Sequence, residues 1–196
     1  MPDIEIIEGN AIIPEGTRFI EQCSFHKRDD LKTIVIPDSV SEIRSKAFAK
    51  SGLTSITIPG SVNVIEFNAF EKCKSLKSIV IPSSVTHIGE NAFQSCIELE
   101  TVELSDSMTN IWDATFLSCS KLKSVIIPNS ITSIRDNSFR YCSNLETICF
   151  PDNLTNIGKY AFSGCLNLTS LTLPNSVEYI GSKAFLDCMN IETLNI

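Results

Sequence analysis

Apolar residues return along this chain at a fixed interval. Leu31, Leu53, Leu76, Leu99, Leu122, Leu145, Leu168 and then Ile191 are separated by 22 residues once and by 23 thereafter. With each of these as slot 1, slot 13 holds Ile43, Ile65, Ile88, Ile111, Ile134, Ile157 and Ile180. Slot 18 holds Phe48, Phe70, Phe93, Phe116, Phe139, Phe162 and Phe185, and slot 21 holds Ser51, then Cys73, Cys96, Cys119, Cys142, Cys165 and Cys188. One step back from Leu31 lies a degenerate copy beginning at Glu8, in which Pro14, Ile20 and Phe25 keep their slots. Within a unit, slots 4 and 6 are apolar around an outward slot 5, the period of a short strand. Proline at slot 7 (Pro37, Pro59, Pro82, Pro128, Pro151, Pro174) cannot donate to a ladder and ends that strand. Slots 8 and 9 carry turn residues, slots 10 and 13 return apolar side chains, and Gly often follows at slot 14 (Gly89, Gly158, Gly181). The stretch through Ala-Phe and Cys is too short for a regular helix and predicts a 3₁₀ turn or a second short strand.

A unit of this size cannot bury its apolar face alone, so neighbouring units must stack into a solenoid. At ~4.8 Å per stacked strand, eight units span on the order of 40 Å. The expected organisation is a degenerate N-terminal capping repeat over 1–30, seven repeats of 22–23 residues over 31–190, and a partial repeat over 191–196. The unit Leu-x-x-Ile-x-Ile-Pro-x-Ser-Val-x-x-Ile-x-x-x-Ala-Phe-x-x-Cys resembles the BspA-type leucine-rich repeat family over residues 8–196. The resemblance implies a β-rich, right-handed solenoid of short parallel strands with 3₁₀ or short-strand connections. Departures fall in the first copy, with Glu8, Thr17 and Arg28 in core slots, and at Ser105, which replaces the slot-7 proline. The family includes surface adhesins of mucosa-associated bacteria and parasitic protists, which implies adhesion to a host or matrix protein as one function.

Composition narrows the function classes. The 196 residues are 43% hydrophobic and 20% charged, enough to build a core, and the net charge of −7 argues against a general nucleic-acid binder. No run of 18 apolar residues points to membrane insertion. The acidic start lacks the basic and apolar regions of a secretory signal, so the expectation is cytoplasmic, or cell-surface if the chain is a piece of a longer adhesin. Six of the eight cysteines recur in one core slot and are expected to be free thiols packed as small hydrophobes. No Cys-x-x-Cys pair occurs, and His26 and His87 occupy different slots, so neither metal nor other cofactor is expected. Cys149, in outward slot 5, is the thiol most open to reaction. The Ser and Thr of slot 3 form a hydroxyl ladder rather than a nucleophile. No phosphate loop, nucleophile elbow or carboxylate pair stands outside the repeat frame, so no enzyme is expected. The sequons at Asn153 and Asn167 arise easily by chance in so polar a chain.

Function then falls to the surface, and the partner expected is a protein. Slots 2, 3 and 5 form outward rows, with Lys77, Glu100, Lys123 and Glu146 alternating in slot 2 and Glu103 in slot 5. Trp112, the single tryptophan, takes slot 14, where Gly89, Gly158, Arg44 and Arg135 stand in other copies, and should be partly exposed as an interface anchor. Phe67, Tyr141, Tyr160 and Tyr179 stand outside the core slots on scattered rows. Ile191 and Leu194 lie in the last partial copy, whose unpaired strand edge offers an end-to-end contact. The reading is a protein-binding leucine-rich-repeat module of scaffold or adhesion type, with a structural subunit of a large intracellular (for example cytoskeletal) assembly as the alternative.

Overall fold

The computed structural model describes residues 4–195, with Leu194 followed as backbone only. Slots 3 to 5 form a first strand in most coils: β1 (Asn10–Ile12), β3 (Thr33–Val35), β6 (Ser78–Val80), β8 (Thr101–Glu103), β10 (Ser124–Ile126), β12 (Thr147–Cys149), β14 (Ser170–Thr172) and β16 (Thr193–Asn195). The middle residue is buried and its neighbours face outward, as in Ile79 between Ser78 and Val80. Slots 12 and 13 form a second strand: β2 (Phe19–Ile20), β4 (Glu42–Ile43), β5 (Val64–Ile65), β7 (His87–Ile88), β9 (Asn110–Ile111), β11 (Ser133–Ile134), β13 (Asn156–Ile157) and β15 (Tyr179–Ile180). Every ladder between these strands is parallel and pairs a residue with its counterpart one coil away, such as Ser78 with Thr101 and Ile134 with Ile157. The chain is thus a parallel β-solenoid, with no helix among the described residues.

Both rows of strands are interrupted. The first row runs as β1–β3, β6–β8–β10–β12 and β14–β16, and the second as β2–β4–β5–β7 and β9–β11–β13–β15. The strand expected in the coil beginning at Leu53 does not form. That coil follows the single 22-residue step, where Gly52 takes the tighter turn: a Cβ there would stand 2.1 Å from the Asp29 carbonyl oxygen.

The second strand lies upstream of the Ala-Phe-Cys stretch, and that stretch is a ribbon of turns. Amides at slots 17, 19 and 21 close i→i−3 bonds, as Ala47 to Arg44, Ala49 to Lys46 and Ser51 to Phe48. Those at slots 16, 18 and 20 reach the next coil, as Lys46 to Phe67, Phe48 to Ala69 and Lys50 to Glu71. The alternation places slots 16 and 20 in the left-handed region in every coil, from Cys23 (φ 60) and Lys27 (φ 61) to Lys183 (φ 60) and Asp187 (φ 62). Side chains crowd the backbone there, and Asn, which tolerates the region, takes slot 16 at Asn68, Asn91 and Asn137.

Core columns follow from the stacking. Eight phenylalanine rings, Phe25 to Phe185, lie parallel with centroids 5.2 to 5.5 Å apart. Phe25 is 2% exposed, so the ring of the degenerate first copy is buried like those in the middle of the array. Ahead of it, residues 4–9 fold back through an antiparallel bridge between Ile7 and Asn10, with Ile4 and Ile6 against the core.

Phe116→Ala should cost ~3–5 kcal/mol, from lost burial and the cavity left between two rings, and chemical denaturation measures it. Ala114 (φ 53) is the one alanine in slot 16. Ala114→Asn should raise stability by about 0.5–1 kcal/mol, recovering part of the ~1–2 kcal/mol left-handed penalty, read as a higher denaturation midpoint at unchanged m-value.

Candidate protein-binding surface

The cysteine column is structural. Each thiol donates to the carbonyl of the phenylalanine in the preceding coil: Cys73 to Phe48 (3.0 Å), Cys96 to Phe70 (3.2 Å), Cys119 to Phe93 (3.2 Å), Cys142 to Phe116 (3.2 Å), Cys165 to Phe139 (3.3 Å) and Cys188 to Phe162 (3.1 Å). All eight cysteines are free, with Cys73 to Cys165 of the column buried and Cys188 half-buried. Burial pushes the Cys119 thiol up to about 12, and raises those of Cys96, Cys142 and Cys165. Cys23 and Cys149 are exposed.

The residues singled out in the sequence divide between two faces. Lys77, Glu100, Lys123 and Glu146 form one line, their backbones joined amide to carbonyl from Glu100 to Lys77, Lys123 to Glu100 and Glu146 to Lys123. Lys123 pairs with Glu100 at 3.2 Å, and beside it Lys121 pairs with Glu98 at 2.7 Å. Exposed pairs of this kind contribute about 0–1 kcal/mol each. Glu103 faces outward in slot 5, in the same row as exposed Ile12, Val35, Val80 and Ile126. Ile191 is half-buried against the core and presents little surface. Leu194 pairs with Leu171 through the backbone, and its side chain lies outside the described residues, as does Ile196.

Trp112 stands on the other face, just after β9, and is half-buried. Its ring meets His87 edge-on at 5.3 Å (62°), and the Arg135 guanidinium lies 5.4 Å from its centroid. A groove of about 520 Å³ opens beside it, walled by Val64, Glu66, Phe67, His87, Glu90 and Trp112. Gly89 makes the floor, where a Cβ would come within 2.4 Å of the Phe67 amide nitrogen. Phe67, 50% exposed, is therefore a neighbour of Trp112 rather than one of several scattered aromatics. Its signal was present in slot 15, where the other copies carry Gln22, Ser45, Glu90, Asp113, Asp136, Lys159 and Ser182. Tyr141 and Tyr160 also share a neighbour, with Arg140 4.6 and 4.7 Å from their rings.

The groove lies where the second row is interrupted. Elsewhere slot 14 donates to slot 13 of the preceding coil, as Gly89 to Ile65 and Arg135 to Ile111, and slot 11 to slot 11, as Thr86 to Asn63 and Thr132 to Thr109. Among the described residues no such bond joins Trp112 to Ile88 or Thr109 to Thr86. The ribbon continues unbroken at the same level, Asn91 donating to Asp113 at 3.0 Å, so the opening is local.

Coil geometry, repeat length and sequence agree with one family. The BspA type leucine-rich repeat region matches residues 8–123 and 109–196, in six copies. The chain belongs to the BspA-type leucine-rich repeat family. A leucine-rich repeat protein of Bacteroides ovatus is 34% identical, with a TM-score of 0.87 over 96% of this chain and 50% of that one. The T. pallidum leucine-rich repeat protein is 28% identical, with a TM-score of 0.69 over 100% of this chain and 76% of its own. A leucine-rich cell surface protein of Faecalibacterium prausnitzii is 25% identical, with a TM-score of 0.53 over 94% of this chain and 58% of that one. This chain therefore spans about half the length of the Bacteroides relative. No curated protein matches it.

Native protein should react with a thiol reagent at Cys23 and Cys149 first and release all eight thiols on denaturation. A buried thiol held above its ordinary value near 9 favours the folded state only while protonated. Stability should therefore be unaffected by these groups below pH 9 and fall as pH rises toward 12, which unfolding by circular dichroism across that range measures.

Proposed function

We propose that the chain is a non-enzymatic, protein-binding leucine-rich-repeat module of scaffold or adhesion type, and that its partner docks over the Trp112 groove. One observation carries the reading: a tryptophan flanked by His87 and Arg135 stands at a local opening in an otherwise continuous ladder. Trp and Arg are the residues most enriched at binding hot spots, where a ring enters a partner's pocket and guanidinium groups fix its rim. The rigid solenoid behind the groove holds it without ordering cost on binding. A cell-surface setting draws support from the Faecalibacterium relative's description. The mixed-charge line from Lys77 to Glu146 serves as solvated surface in this reading.

A second reading, a structural subunit of a large intracellular (for example cytoskeletal) assembly, rests on a different feature. Ile12, Val35, Val80 and Ile126 are 55% to 77% exposed along slot 5 of the first-strand row, apolar positions interrupted by Thr57 and Glu103 that could lie against another flat surface. Capture of partners from lysate or matrix extract by the intact chain separates the two. Trp112→Ala should weaken capture roughly thirty-fold, the equivalent of about 2 kcal/mol at a hot spot, while Val80→Lys with Ile126→Lys leaves it intact. The opposite pattern favours the assembly subunit, and capture unchanged in both variants removes both surfaces.

A further inference from the structure

Positive charge is concentrated on one part of a chain whose net charge is −7. Slot 20 of the ribbon carries Lys27, Lys50 and Lys72 on three successive coils, all in the left-handed region (φ 61, 59 and 59). Each ribbon is bonded to the next, so these side chains start about one strand spacing apart, ~4.8 Å, and their ammonium groups repel. Beyond them the column turns neutral, with Ser95 and Ser118.

Beside this column lies a groove of about 520 Å³ lined by Lys32, Lys50, Lys72, Lys74, Ser75 and Gly52, with Ser51 and Asp29 completing it. It sits at the single 22-residue step: one residue is missing from the rim, and Gly52 contributes no side chain. Few anions compensate the lysines. Lys72 pairs with Glu71 at 2.8 Å, and the Lys32 ammonium donates to the Asp29 carbonyl at 2.8 Å. Lys27, Lys46, Lys50 and Lys74 have no ion pair among the described residues. The local field acts on the neighbouring groups. Partial burial, then Lys27, Lys50 and Lys46, hold the His26 imidazole below its ordinary value, with Glu71 opposing. Partial burial works to raise the Glu71 carboxyl, yet Lys72, Lys50 and Lys46 together hold it below the carboxylate range.

We propose that this lysine-lined groove is a second binding site, separate from the Trp112 groove, and that it takes a linear sulfated polysaccharide. The chemistry of the lining selects among anions. Among the described residues no arginine lines the groove, so the bidentate fork that suits planar carboxylates is missing, whereas ammonium groups accept a tetrahedral oxyanion from any direction. No ring lines it either, so bases of a single-stranded nucleic acid have nothing to stack on. Hydroxyls and ammoniums stepped along successive coils match a polymer that carries oxyanion esters at intervals along a polar backbone.

The test is calorimetric titration of the whole chain with size-defined heparin fragments, a sulfated glycosaminoglycan, at 50 and 200 mM salt. Lys50→Ser with Lys72→Ser places in slot 20 the residue that Ser95 and Ser118 already hold there, so the ribbon keeps its form. Lys121→Ser with Lys123→Ser makes the same charge change away from the groove. The groove pair should lose at least tenfold in affinity and about two in salt slope, and the control pair should change affinity less than twofold. Absence of binding by the unmodified chain, or equal losses in the two variants, overturns the proposal. Tighter binding of a single-stranded oligonucleotide or of poly-glutamate than of the heparin fragment overturns it in favour of a phosphate diester or a carboxylate partner.

Discussion

A parallel solenoid holds every residue about one strand spacing, ~4.8 Å, from its counterpart in the next coil, and in this chain hydrogen bonds on up to three sides of a coil enforce that distance. Two rows of short strands supply part of the lattice and the ribbon supplies the rest, through amides at slots 16, 18 and 20. Whatever occupies a slot must therefore tolerate a copy of itself directly above and below. Phenylalanine satisfies this at slot 18, where flat rings stack at 5.2 to 5.5 Å and are buried from Phe25 to Phe162. Leucine and isoleucine satisfy it at slots 1 and 13 by shape alone.

The same condition explains the thiols. Each slot-18 carbonyl already accepts the amide three residues on, as Phe70 does from Cys73, and its remaining lone pair faces the next coil. A buried residue there must be small, apolar enough to lie beside phenylalanine, and able to donate one bond. Cysteine meets all three conditions, and the hydroxyl of Ser51, packed 3.5 Å from the Cys73 sulfur, continues the column by a related contact. Burial of the sulfur then makes the thiolate costly at Cys96, Cys119, Cys142 and Cys165, which stay protonated thiols. The backbone carries a recurring cost in exchange: two left-handed residues per coil, offset by the three coil-to-coil bonds that only this alternation allows.

Period was enough to read the first-row strands, the phenylalanine ladder, the free cysteines and the family, because each of these repeats and so is written many times over. The second-row strand, one of two expectations for the Ala-Phe-Cys stretch, lies upstream of it at slots 12 and 13. Features that occur once were harder. The strand missing from the coil at Leu53 follows a change of one residue in spacing, visible as arithmetic but mute about which ladder it would interrupt. The fold-back of residues 4–9, which lays Ile4 and Ile6 against the core, is a non-repeating contact with no period to betray it. Phe67 was legible as an oddity in slot 15 and Trp112 as one in slot 14. Their meeting in one groove needed the fold, which sets slot 15 of one coil beside slot 14 two coils on.

Departures from like-on-like stacking are where this surface acquires individuality. Aliphatic and aromatic columns gain from repetition, whereas a run of lysines is penalised by it, and a tryptophan without a matching neighbour leaves one face open. Both kinds of departure coincide here with irregularities in the lattice. The Trp112 groove sits at the break between β7 and β9, and the lysine groove at the short turn before the coil that lacks its first strand. A uniform lattice would have filled each place with another copy of the standard residue and the standard bond. Where the lattice relaxes, side chains that cannot stack on a copy of themselves are left partly facing outward: Trp112 half-buried between His87 and Arg135, and Lys50 and Lys74 without an ion pair among the described residues.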